Sequence, residues 1–534
     1  MIGKMLSFQS FLLAFLLASL GAAVSPTVDL GYVKYRGQSL PNGLTQWLGM
    51  RYAAPPTGNL RFQPPHDPLL EEDVQPADKH GPFCLATGAD PEDPETSEDC
   101  LFVEVTAPTK ANSRSKLPVF FYIQGGGFNS NSNPNINSSG LIKAAKDDLV
   151  VVTFNYRVGL WGFLSNGEKV SQNNGLRDQR KALEWVQANI AKFGGDPGHV
   201  VIGGNSAGAA SVSMHLTAGN GTDRHLFHGA LAGSPSYATM YTVKQSQYQY
   251  NNLVTRLGCA GSESLECLRK KPAKEIQAAN FNIPLLMASN PPLYQWLPTI
   301  DNDFIPDFAY RTFSKGKFVK VPTIFGDDAN SGTIFTPKNA STLAESNQFL
   351  LDQYPTLTPE QLGEINKLYP NPNRTCPSRG CYWRQVSNVY QEARYMCPAL
   401  FMNAAISQHG QPRSYAYLWN VEDPEQVASG LGVPHTVEVK AMFAPGYPKT
   451  QPSYEEGGIN AKAVHVLQAY WTSFIRTLDP NKYRLEGSAR WEQWTSKSAE
   501  RLVFGTRGTT KMAPIGELKT RCDYWQKNGL DMLL

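Results

Sequence analysis

The sequence predicts an α/β fold: a large, mostly parallel central sheet with helices on both faces. Two observations carry this. Residues 119–123 (Val-Phe-Phe-Tyr-Ile) and 149–154 (Leu-Val-Val-Val-Thr-Phe) are continuous apolar runs of strand length. Runs of this kind mark strands buried on both faces, as in a parallel sheet covered by helices. Further along, Leu183, Val186, Ile190 and Phe193 recur at steps of three and four, the spacing of one apolar helix face. Val200-Val201-Ile202 then reads as another buried strand, and Ala207 opens the next helix. Strands alternating with helices favour a parallel sheet over an all-β or all-α arrangement. Length alone, 534 residues, suggests several domains. No Pro/Ser/Gly linker and no repeat divides the chain, however, and residues 24–534 read as one domain.

Composition removes several function classes. The net charge is only +3 and the cationic residues are dispersed, so there is no electrostatic footprint for nucleic acid. Hydrophobic residues make up 41% of the chain, enough for a large core, which excludes disorder as its overall state. The N-terminus carries Lys4, an apolar run over residues 11–17 and the small residues Gly21-Ala22-Ala23. That order describes a secretory signal peptide over residues 1–23, and the expected location is extracellular. No transmembrane segment is expected, because the run falls short of the roughly 20 apolar residues a spanning helix needs.

In an oxidising compartment eight cysteines are expected to form bridges. Cys84 with Cys100 and Cys259 with Cys267 close short loops. Cys376 and Cys381 are near enough to pair, which leaves Cys397 with Cys522. Spacing does not prove connectivity, since eight cysteines allow roughly a hundred pairings. Zinc is the rival for the tight pairs, but no adjacent histidine spacing supports it, and no metal or cofactor is expected. Sequons at Asn137, Asn220, Asn339 and Asn373 fit glycosylation on the same route.

Gly204-Asn205-Ser206-Ala207-Gly208 matches G-x-S-x-G and sits between the 200–202 strand and the helix after it. On such a turn the serine is strained and exposed, and the next helix begins with its amides facing the site. A second loop, Gly125-Gly126-Gly127-Phe128, follows the 119–123 strand. Its glycines allow backbone N–H groups to approach a carbonyl oxygen as negative charge develops on it. If the order is nucleophile, acid, histidine, the base lies downstream. His435 then stands out, in a loop after the strand-like Tyr415-Ala416-Tyr417-Leu418-Trp419. His465 falls in a predicted helix, and His225 and His228 have no third ligand at metal spacing.

These motifs together resemble the type-B carboxylesterase/lipase family, which includes fungal extracellular esterases and the cholinesterases. The resemblance spans nearly the whole mature chain. It rests on Pro56-Thr57-Gly58-Asn59-Leu60-Arg61-Phe62, on Ser97-Glu98-Asp99-Cys100-Leu101 and on Asn155-Tyr156-Arg157-Val158-Gly159 with Gly162-Phe163-Leu164. The stretch from Gly175 through Asp178-Gln179, Trp185 and Phe193-Gly194-Gly195-Asp196-Pro197 to Gly208 is the most characteristic. Tyr470-Trp471-Thr472-Ser473-Phe474 and Asp479-Pro480-Asn481 resemble the family's C-terminal part. The resemblance implies the α/β-hydrolase fold, Ser206 as nucleophile, His435 as general base and an oxyanion hole from Gly126, Gly127 and Ala207. It also implies the bridges Cys84–Cys100, Cys259–Cys267 and Cys397–Cys522.

The chain departs from the family pattern in three places. Gln124 stands where the family has His, and Asn205 where it has Glu. The acid segment, G-x-x-x-D-E-G-x-x-F in the family, reads Gly326-Asp327-Asp328-Ala329-Asn330-Ser331-Gly332-Thr333-Ile334-Phe335. Ser331 therefore occupies the acid position. A serine can accept a hydrogen bond from the imidazole but brings no negative charge. Asp327, Asp328 and Glu438 are the nearby carboxylates. The loop between Cys84 and Cys100 is acidic and lacks aromatic residues, unlike an interfacial lid or a cation site. A small or medium soluble ester is the expected substrate. Ester hydrolysis through an acyl-enzyme is the first reading, with acyl transfer and a binding homologue that has lost turnover beside it.

Overall fold

The structure is a computed structural model that describes residues 26–534 except 133–134, 168, 373–375, 377–378, 411–412 and 496. The expected signal peptide and the sequon at Asn373 lie outside the described residues. One sheet holds eleven strands. In chain order they are β1 (Gln38–Ser39), β2 (Leu44–Arg51), β3 (Phe102–Pro108), β4 (Leu117–Ile123), β5 (Val150–Phe154), β6 (Gly195–Asn205), β7 (Gly229–Gly233), β8 (Thr323–Asp328), β9 (Ser414–Asn420), β10 (Glu500–Gly505) and β11 (Thr509–Pro514). Across the sheet the order is β11-β10-β9-β8-β7-β6-β4-β5-β3-β2-β1. Neighbours from β10 to β5 run parallel, and the strands outside them are antiparallel. The α/β-hydrolase arrangement expected from the resemblance is present.

The helices that matter for the site are α1 (Asn174–Asn189), α2 (Ala207–Gly221), α3 (Trp383–Gln391), α4 (Cys397–Gln408), α5 (Glu438–Met442) and α6 (Ala461–Thr477). Side chains of a strand alternate between faces, and β4 feeds two cores accordingly. Val119, Phe121 and Ile123 join Leu183 and Val186 of α1 on one side. Phe120 and Tyr122 join Trp471 and Phe474 of α6 on the other. Each fully buried side chain of this size contributes roughly 1.5–3 kcal/mol, which is why an uninterrupted apolar run is stable here and would not be in a half-exposed strand.

The chain leaves β4 for β5 on one side of it and then returns to β6 on the other. Strand order reverses between them, and in open α/β sheets the crevice beyond the carboxyl ends of such strands is where ligands bind. The ends concerned are Ile123 and Gly204, directly paired in the β4–β6 register.

Covalent and ionic ties hold this frame. All four expected disulfides are present, including Cys397–Cys522 across a separation of 125 residues. Arg157 and Asp178, from two of the family-like motifs, form a buried bidentate pair, with Nη2 to Oδ1 at 2.6 Å and Nε to Oδ2 at 2.8 Å. The Arg157 amide also donates to Oδ2. Removing one partner of such a pair strands the other charge in the core, which costs about 3–5 kcal/mol. Asp178→Ala should therefore lower the unfolding free energy by about that much, read from the urea midpoint at constant m-value. A loss under about 1 kcal/mol would show that the pair adds nothing to stability.

Candidate active site

Ser206 lies between β6 and α2 with φ 60° and ψ −124°. A non-glycine residue held there carries about 1–3 kcal/mol of strain. Packing leaves the turn no alternative. A Cβ on Gly208 would meet the Ile123 carbonyl oxygen at 2.0 Å, and one on Gly204 would meet the Gly208 backbone at 2.5 Å. The Ser206 amide donates to the Gly233 carbonyl at 2.9 Å, which anchors the turn to β7.

The glycine loop after β4 packs directly on this turn. A Cβ on Gly125 would stand 2.7 Å from the Asn205 carbonyl and 3.0 Å from the Ser206 Cβ. Gly126 (φ 117°) and Gly127 (φ 60°) take conformations that L side chains rarely adopt. The Gly126 carbonyl accepts from the Asn129 and Ser130 amides and so closes the loop on itself. The amides of Gly126, Gly127 and Ala207 donate to no protein acceptor among the described residues. A Cβ on Gly127 would strike the Tyr294 ring at 2.3 Å, so Tyr294 walls the loop.

His435 is buried, and neither ring nitrogen has a hydrogen-bond partner. It packs on the rings of Tyr395 (4.3 Å between centroids) and Phe335 (5.0 Å). Burial pushes its imidazolium down to about 3, and the Arg394 guanidinium adds to the effect. The ring is therefore neutral, the form a general base needs. Arg394 and Tyr395 come from a π-helical turn, Glu392–Met396, between α3 and α4. Arg394 Nε donates to Ser236 Oγ at 2.9 Å, and the Ser236 amide donates to the Ser206 carbonyl.

Ser331 does not hydrogen-bond to His435. Its hydroxyl donates to Asp327 Oδ1 at 2.6 Å. Asp327 and Asp328 end β8 and are fully buried. Together with His435 they offer ligand-type atoms that all lie within 4.8 Å of one another. Asp328 Oδ2 accepts from the Thr436 amide (2.7 Å) and Ser234 Oγ (3.2 Å). Burial and the facing Glu438 carboxyl push Asp328 well above the ordinary aspartate range. Glu438 Oε1 accepts from Asn205 Nδ2 at 2.5 Å and from the Tyr417 hydroxyl at 3.3 Å. Asn205, a departure from the family, thus ties the Ser206 turn to α5.

The structure packs the Gly125–Gly127 loop on the Ser206–Ala207 turn through Gly125, and places His435 in the loop before α5, whose Glu438 accepts from Asn205 of that turn. Sequence reasoning missed Tyr294, Arg394 and Tyr395. They lie far from the motifs along the chain, and aromatic residues without a pattern carry no signal. The loop between Cys84 and Cys100 is less solvated than its composition suggests, because Glu98 pairs with the buried Arg61 at 2.6 Å and Asp99 with Arg51 at 2.6 Å. The asparagines of the described sequons, Asn137, Asn220 and Asn339, are exposed.

Comparison with known proteins gives a consistent picture. The carboxylesterase family model matches residues 24–525. The crystal structure of Aspergillus niger EstA superposes with a TM-score of 0.92 at 38% identity, covering 96% of this chain and 99% of that one. Secreted lipase 4 of Gibberella zeae is 28% identical over 530 residues, 95% of this chain and 92% of the relative. Secreted lipase 1 of Botryotinia fuckeliana is 30% identical over 499 residues, 84% of each.

The buried carboxyl groups give the fold a definite pH dependence. Burial pushes Asp327 from 3.8 up to about 7, against the opposing Ser331 hydrogen bond. Between those values the folded chain holds a proton that the unfolded chain has lost. The contribution of Asp327 is therefore intact near pH 4 and is lost as pH rises through 7. His435 acts in the opposite sense, because its contribution is lost as pH falls from 6.5 towards 3. Asp327→Asn removes only the first dependence. The variant should gain stability relative to the parent between pH 4 and pH 8, by up to about 4 kcal/mol, in thermal or denaturant unfolding. A pH-independent difference would mean that Asp327 is ionised in the folded chain throughout.

Proposed function

Because the chain belongs to the carboxylesterase family, we propose that it is a secreted carboxylic ester hydrolase working through an acyl-enzyme on Ser206, with His435 as general base. The observation that carries this reading is the strained Ser206 turn packed against a glycine loop with free amides, at the reversal point of the sheet. The Ser206 oxygen attacks the acyl carbon while its proton passes to His435. The carbonyl oxygen becomes an oxyanion facing the amides of Gly126, Gly127 and Ala207, donors already oriented in a site shielded from water. Collapse expels the alcohol, which takes the proton from His435. Water then attacks the acyl-enzyme by the same route, releasing the acid and returning the proton to Ser206. Secretion is supported by the four disulfides and by two relatives named secreted lipases.

A small or medium soluble ester is the favoured substrate, since the Cys84–Cys100 loop presents carboxylates and no apolar face. One observation favours a longer-chain, interfacial substrate. Phe281, Leu286 and Met287 are exposed, Met287 at 81%, on the segment leading to Tyr294 at the oxyanion loop. Transfer of the acyl group to an alcohol would use the same intermediate and differs only in the acceptor.

Hydrolysis of p-nitrophenyl esters from acetate to decanoate, with free acid followed by titration, tests all three. Turnover should fall by about 10⁶-fold in Ser206→Ala or His435→Ala, and no further in the double variant, because the two residues act as a unit. A rate optimum at short chains supports the soluble ester, and one at decanoate the interfacial reading. Wild-type turnover no faster than Ser206→Ala on every ester would overturn hydrolysis at this site.

A further inference from the structure

We propose that Asp327, held in place by the Ser331 hydroxyl, supplies the carboxylate that orients His435 and stabilises its charged form, so that the acid of this site has moved from position 331 to the end of β8. This rests on the reading of Ser206 and His435 given above. A glutamate at 331 would carry its carboxylate oxygens two bonds beyond the point where Ser331 carries a hydroxyl. The 2.6 Å bond from Ser331 Oγ to Asp327 Oδ1 puts a carboxylate from the neighbouring backbone into that same space. The hydroxyl and the aspartate together thus occupy the volume of one longer acidic side chain. One carboxylate oxygen of Asp327 lies within 4.8 Å of a ring nitrogen of His435, and neither nitrogen of that ring has a hydrogen-bond partner.

Asp328, in the same cluster, is the competing residue, and its Oδ1 has no hydrogen-bond partner. One oxygen holds the Thr436 amide and the Ser234 hydroxyl. Burial and the facing Glu438 carboxyl favour its neutral form, which stabilises an imidazolium less than a carboxylate does. Asp327 accepts from the Ser331 hydroxyl on Oδ1 and, at 3.5 Å, from Gln391 Nε2 on Oδ2. The other charged groups around the pair are Glu438 on α5, Arg501 on β10 and Arg394 on the π turn. During attack one imidazole nitrogen takes the Ser206 proton. The other keeps its N–H and donates it to Asp327, which stays ionised, and no proton moves to the carboxylate. The raised carboxyl of Asp327 adds a kinetic signature, in which kcat/KM climbs with pH through an apparent value near 7.

The test uses the full-length secreted protein, with p-nitrophenyl butyrate as substrate. Asp327→Asn should lower kcat by about 10³–10⁴-fold with KM changed only a few-fold. Asp328→Asn should cost under about tenfold and keep the same pH profile. Ser331→Glu alone crowds two carboxyl groups into one space and should be impaired. Combined with Asp327→Ala it returns the carboxylate from the family's position and should recover at least about 10²-fold over Asp327→Asn. Asp327→Asn retaining kcat within about tenfold, while Ser206→Ala abolishes turnover, would overturn the assignment and leave the hydrolase reading intact. So would a collapse in Asp328→Asn instead. Activity lost to EDTA and restored by zinc would give the Asp327, Asp328 and His435 cluster to a metal ion. A second readout needs no turnover and applies even if every ester fails. In ¹⁵N-histidine-labelled protein, the His435 signals (identified by their loss in His435→Ala) should report one tautomer in the parent and in the Asp327→Ala/Ser331→Glu variant, and a mixture in Asp327→Asn. An unchanged tautomer in Asp327→Asn would overturn the proposal on its own.

Discussion

The Ile123 carbonyl oxygen lies 2.0 Å from where a Cβ on Gly208 would be, and the geometry of the site descends from that contact. It brings the end of β4 against the first turn of α2, so the glycine loop and the Ser206 turn share one packed surface. A side chain at Gly208, Gly204 or Gly125 would force the two apart. With them in contact, the Ser206 backbone has to adopt φ 60°, and the hydrogen bonds to β7 and α2 offset its strain. The rest of the sheet supplies the rigidity that lets such a turn persist, because both faces of β4 are buried in separate cores.

Behind this turn the fold concentrates ionisable groups in a place that disfavours charge. Asp327, Asp328, Glu438 and His435 are all buried, and burial moves each towards its neutral form. A core selected for stability alone would not contain them. Asn205 and Glu438 form the scaffold for this cluster, joining the Ser206 turn to the helix that follows His435.

Some of the site was legible because its signals are local. The turn sequence around Ser206 and the glycine run after β4 each declare their backbone conformation within five residues. Continuous apolar runs announced β4, β5 and β6 because two-sided burial leaves no room for polar residues. Other parts had no local signal. Ser331 reads as a lost acid when aligned along the chain. Only the 3₁₀ turn Ser331–Ile334, which folds position 331 back onto the end of β8, brings its hydroxyl to Asp327. Arg394 and Tyr294 reach the site from segments whose sequences resemble ordinary helix and loop.

Sequence by itself determined the fold class and singled out Ser206, His435 and the glycine loop, and the family resemblance implied three disulfides that the structure reproduces. These depend on periodicity, on steric demands within a few residues and on motifs spread along the whole chain. Tertiary structure alone decided that Asp327 and Asp328 both stand near the imidazole, that Asn205 is tied to Glu438, and that Tyr294 walls the glycine loop. The reason is physical. Backbone conformation is governed largely by neighbours in sequence, whereas the charge and hydrogen bonding of a buried group depend on whatever the fold packs against it.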